Sequence, residues 1–143
     1  MQALRRRMTC ASPPANGGVL SGYLRAVEPL NRGPLGVGVF VAAFIAALAV
    51  GGRAGLLLAS TWLLFVGTWC LGNFWQCRET HCGVTGPGWT LTALVGFAAA
   101  LASGGSLEWF SVSVEILLTL GILGLGYGLE AAVAASTGRR ALR

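Results

Sequence analysis

The chain has 143 residues and a formal net charge of +5, yet only 10% of its residues are charged while 55% are hydrophobic, and its mean hydropathy is +0.70. An average soluble domain carries about 25% charged residues, so this composition excludes one and places the chain in lipid. The charge comes from ten arginines against five glutamates, and the arginines bracket apolar runs without forming a basic face. That pattern argues for a lipid bilayer as the partner and against nucleic acid.

Four apolar blocks, at about 35–52, 56–75, 89–107 and 109–134, predict an all-α, four-helix transmembrane bundle with short loops. Each crossing of ~30 Å of hydrocarbon takes ~20 residues. This membrane domain, residues 35–135, follows an N-terminal arm at 1–34 and precedes a basic tail at 136–143. With both termini and the central loop in the cytoplasm, Arg53 alone falls outside, as the positive-inside bias requires for a prokaryotic cytoplasmic membrane.

In chain order, Arg5, Arg6 and Arg7 precede a Pro/Ala/Asn/Gly stretch without helical periodicity, and residues 19–30 fit a short interfacial helix. The first span has no ionisable group, and its Ala42, Ala46 and Ala49 predict a close-packing face. Gly51 and Gly52 form a tight turn into the second span, which carries Trp62, Trp69 and an interfacial Trp75. A polar central loop is expected over 76–88, with Thr85, Gly86, Pro87 and Gly88 as a turn and Trp89 opening the third span. The fourth span repeats small residues at Gly121, Gly124, Gly128, Ala131 and Ala135, a face for a tight contact within the bundle, in a homo-oligomer or with a larger membrane complex.

Nearly all the chemistry lies between Cys70 and Trp89. If the second helix ran on to Cys82, Cys70, Cys77 and His81 would share one face. Cys77 and His81 would be neighbours, with Cys70 about two turns deeper. The expected metal ligands are Cys77, His81 and Cys82, completed by Cys70, by Cys10 or by another subunit. Thiolates and imidazole favour Zn(II) or Cu(I). A redox-responsive thiol is the other use of the same residues, with Arg78 favouring and Glu79 opposing thiolate charge. Glu79 reads as a solvated helix-end charge. Glu115, about six residues into the fourth span, is a candidate intramembrane proton or cation relay, because an ionised carboxylate is costly in hydrocarbon.

RETHCGVTGPGW, preceded by Cys77, resembles a recurrent Cys-x3-His-Cys-x2-Thr-Gly-Pro-aromatic signature of small uncharacterised prokaryotic multi-pass membrane proteins. Some of these are associated with metal or mercury handling, so the resemblance implies a soft-metal role, with transported Hg(II) among the ions. The familiar small mercury transporters carry adjacent or nearly adjacent cysteines in the first helix, and the first span here has none. The expected function is an integral membrane accessory or sensing protein with a cytoplasmic Cys/His loop. The alternative is a small transporter of mercury, copper or zinc. An enzyme is expected least, since no oriented acid partner accompanies the Cys/His pair.

Overall fold

A computed structural model of the chain describes residues 33–102 and 109–137 together with Val19 and Gly22, leaving aside the side chains of Gln76 and Cys77. Most of the N-terminal arm, with its expected interfacial helix, and the end of the basic tail fall outside the described residues. Four helices make up the rest: α1 (Gly33–Val50), α2 (Gly52–Cys77), α3 (Thr80–Leu101) and α4 (Val112–Thr137). Helices α2, α3 and α4 are long and apolar enough to cross a membrane. Helix α1 is apolar but shorter; its 18 residues rise about 27 Å.

Close contacts fix the register. Gly86 approaches Leu71 and Gly67 approaches Thr90, while Gly96 meets Ser60, so α2 and α3 run antiparallel along most of their lengths. Against α4, Gly88 meets Ile122, Gly126 meets Thr85 and Gly96 meets Glu115, again antiparallel. Glycines occur at these places because a neighbouring helix comes too close for a Cβ, through backbone atoms at Gly67, Gly86 and Gly126 and through side chains at Gly88 and Gly96. A Cβ on Gly67 would lie 2.7 Å from Thr90 Oγ1 and 2.9 Å from the Thr90 backbone nitrogen. Such small-residue approaches let helices associate in lipid, where apolar burial gives no preference for protein over acyl chains. Helix α1 adds Phe44 and Ala47 to a core formed with Leu63, Val66, Trp69, Trp89 and Ala93.

The expected Gly51-Gly52 turn is present, with φ of 66° and 52° at the two glycines. Two expected packing faces are different. Ala42, Ala46 and Ala49 are exposed, and α1 packs through Phe44 and Ala47 instead. On α4, Gly121, Gly124 and Gly128 have nothing near them, while Gly126 makes the close approach to α3. The small-residue stripe therefore makes no tight contact within the bundle among the described residues.

The central loop is also much shorter than 76–88. Helix α2 ends at Cys77, and Arg78 takes the left-handed conformation at φ 53°, its N–H bonding to Phe74 O at 2.8 Å. Glu79 is extended and α3 starts at Thr80, so Thr85-Gly86-Pro87-Gly88 lies inside a helix rather than forming a turn, and Trp89 sits well inside that helix. Proline normally pushes the preceding residue out of the α region through a clash with its Cβ. Here the preceding residue is Gly86, which has no Cβ and is held against Leu71.

Candidate metal centre

The turn at Arg78 and Glu79 reverses the chain, so the chemistry of this stretch does not lie along one helix. Cys70 belongs to α2, whereas His81 and Cys82 belong to the first turn of α3, which folds back beside it. The reversal brings Cys82 into the neighbourhood of Cys70 and Thr85, and both thiols are free and buried. The expected single face carrying Cys70, Cys77 and His81 is not formed, because the helix stops between Cys77 and His81. Cys77 closes α2 with its backbone, and its side chain, like Cys10, lies outside the described residues.

Three donor atoms converge where α2 gives way to α3. Glu79, His81 and Cys82 each offer one ligand atom, and these atoms lie within 4.8 Å of one another. His81 Nε2 is 3.6 Å from Glu79 Oε2, and Cys82 Sγ donates to the same oxygen at 3.8 Å. Ligands at 2.0–2.3 Å around a tetrahedral ion are separated by roughly 3.3–3.8 Å, so these edges fit one metal with little movement. The cluster of Glu79, His81 and Cys82 can therefore coordinate a metal ion.

The surroundings hold the donors in place. Asn73 Nδ2 donates to Glu79 Oε2 at 3.2 Å and to Cys82 Sγ at 3.5 Å, tying both to α2. His81 Nδ1 hydrogen-bonds the carboxylate of Glu130 on α4. A carboxylate only accepts, so Nδ1 carries a proton and Nε2 is the ring atom that faces Glu79. Metal-ligating histidines are oriented in this way. Tyr127 stacks on the other side of the constraint, its ring centroid 4.8 Å from that of His81 and only 10° from parallel. Gly126 makes room for this arrangement: a Cβ there would press on Thr85 Cγ2 at 3.1 Å and on His81 O at 3.3 Å.

Sequence reasoning missed the roles of Glu79, Asn73, Tyr127 and Glu130. Glu79 stands two residues before His81, but only the reversal at Arg78 sets it at the start of α3, with its carboxylate beside His81 and Cys82. Glu130 is 49 residues from His81 and only the packing of α4 brings it there. Glu115 is far from the cluster and sits in the first turn of α4, nearer that helix's end than the span at 109–134 implied. Set beside protein-family models, curated proteins and solved structures, the chain gives no match in any of the three comparisons.

Proposed function

We propose that this is an integral membrane accessory or sensing protein whose Glu79/His81/Cys82 cluster binds a soft or borderline metal, with Zn(II) as the best fit. The observation that carries this reading is the convergence of one oxygen, one nitrogen and one sulfur donor within 4.8 Å at the junction of α2 and α3. Zn(II) accepts all three donor types in tetrahedral sites, whereas Cu(I) favours sulfur over carboxylate. Two anionic donors and a neutral imidazole would also balance a divalent charge in a partly buried place. Cys70, in the neighbourhood of Cys82, supplies either a fourth ligand or a redox partner.

The cluster end of the bundle carries Arg78, and the opposite end carries Arg53; the remaining arginines flank the bundle in sequence before α1 and after α4, helix ends that lie with the cluster. The positive-inside bias then puts the cluster on the cytoplasmic side of a prokaryotic membrane. The resemblance to small membrane proteins associated with metal handling supports the same assignment. The outward small-residue face of α4 remains available for a homo-oligomer or a larger complex.

Transport of the metal is the second reading, favoured by buried polar groups at both ends of the bundle, notably Glu115 at the far end. Against it, the intervening layer is apolar, formed by Leu63, Val66, Trp89 and Ala93. The hydroxyls of Thr85, Thr92 and Thr119 are donated to carbonyls one turn back in their own helices. Elemental mass spectrometry on gently purified protein tests the site: near-stoichiometric zinc is expected in the wild type and its loss in Cys82→Ser and Glu79→Gln. Metal-free wild type after zinc loading refutes the reading. Zinc flux in sealed vesicles would move the assignment to transport.

A further inference from the structure

At the end of the bundle opposite the metal cluster, all four helices stop around a cavity of about 410 Å3. Leu56, Ala99 and Val112 form part of its wall, and the exposed Arg53, Ser111 and Ser113 line its rim. One turn farther in lie Ser60, Gly96 and Glu115, four, three and three residues from those wall positions. Glu115 is completely buried. Ser60 Oγ donates to its Oε1 at 3.0 Å, while Oε2 has no hydrogen-bond partner among the described residues.

This carboxyl is packed as a neutral acid would be. An ionised carboxylate with one bare oxygen, sealed in an apolar bundle, pays a desolvation cost that a single hydroxyl donor does not offset. A proton on Oε2 removes that charge. A hard metal cation is the poorer occupant, since such ions take six or more oxygen ligands and the layer offers few. The carboxyl is also placed to exchange its proton. Helical side chains lean toward the N-terminus of their helix, which for Glu115 is the cavity side, and the carboxyl lies beside Ser60 and Gly96, one turn inside the wall formed by Leu56, Ala99 and Val112. Gly96 leaves the space in which the acid sits: a Cβ there would lie 2.1 Å from Ser60 Oγ and 3.0 Å from Glu115 Oε1.

We propose that Glu115 is a proton-binding site, filled and emptied from the side of the membrane opposite the metal cluster through this cavity. Among the described residues Arg53 on α2 is the one charged residue lining the cavity; described α1 contributes no titratable group, and those of α3, His81 and Cys82, lie at the far end. On α4 itself Glu130 is fifteen residues away, about 22 Å along the axis. The site is independent of the metal centre and stands if that centre binds nothing.

Dicyclohexylcarbodiimide tests the inference, because this apolar reagent adds to protonated carboxyls in membranes, transferring the acid proton to the reagent nitrogen as the carboxylate bonds to its carbon. The full-length protein is treated in lipid nanodiscs at mildly acidic and at alkaline pH, and adducts are mapped by peptide mass spectrometry. An adduct on Glu115 that forms faster at the acidic pH, is lost in Glu115→Gln and is strongly slowed when Ala99→Phe fills the cavity supports the proposal. Absence of the Glu115 adduct at both pH values overturns it, showing a carboxylate kept ionised by the first turn of α4. An adduct whose rate ignores Ala99→Phe also overturns it, since the acid would then be reached by a route other than the cavity. The wild-type pH comparison needs no variant to fold.

Discussion

Glu130 gives the sharpest test of the metal centre, because it is not one of the three converging donors yet is bonded to one of them. Replacing it by glutamine keeps the size of the side chain and removes the charge that accepts the His81 Nδ1 proton. The side chains involved are 20% and 15% exposed, so the bond is shielded and its loss is felt. His81 would then be freer to turn, and its Nε2 would lose part of its basicity and its fixed direction toward Glu79, now 3.6 Å away. Loss of such an outer partner weakens metal binding about 10- to 100-fold. That corresponds to roughly 1.4 to 2.7 kcal/mol. Competition against a chromophoric zinc chelator in detergent measures it: Glu130→Gln should bind the same amount of zinc at saturation but with lower affinity. Cys82→Ser, by contrast, should lose the site. Equal affinities for Glu130→Gln and wild type would refute the placement of His81 as a ligand oriented by α4, and with it the geometry of the centre.

Other outcomes follow from the same packing. Gly67→Ala should lower the thermal midpoint in detergent, since the new Cβ meets Thr90 backbone that cannot move aside, and overpacking of this kind costs about 1–3 kcal/mol. Ser60→Ala removes the donor to Glu115 and should destabilise by about 1–3 kcal/mol in an unfolding titration, as expected for a buried acceptor left unmet. Mild oxidation should join Cys70 to Cys82, read as the loss of two titratable thiols and a cross-link between peptides of α2 and α3; prior zinc loading should protect both. Paired Gly121→Ile and Gly124→Ile substitutions should leave the stability of the monomer unchanged, because nothing lies near those positions, while shifting cross-linking between copies if that face assembles.

The membrane class was legible in composition alone, because a chain with so few charges and such long apolar blocks has no other stable solvent. The sequence also located the reactive region, since thiols and imidazole are rare here and cluster near His81. Which faces pack was not legible. Lipid and protein interior are equally apolar, so a membrane helix carries little contrast between its buried and exposed sides. That is why Ala42, Ala46, Ala49 and the Gly121 stripe looked like contacts and Gly126 did not. The brevity of the turn was hidden for a related reason: a left-handed arginine has no composition signal, and Thr85-Gly86-Pro87-Gly88 drew the expected start of the third helix to Trp89, nine residues past Thr80. Tertiary structure decided the rest by reversing the chain at Arg78. The reversal set Cys82 near Cys70, brought Glu79 beside both His81 and Cys82, and let α4 deliver Glu130 from 49 residues away. Donor convergence is a matter of distance in space, and local sequence spacing fixes such distances only within one unbroken helix.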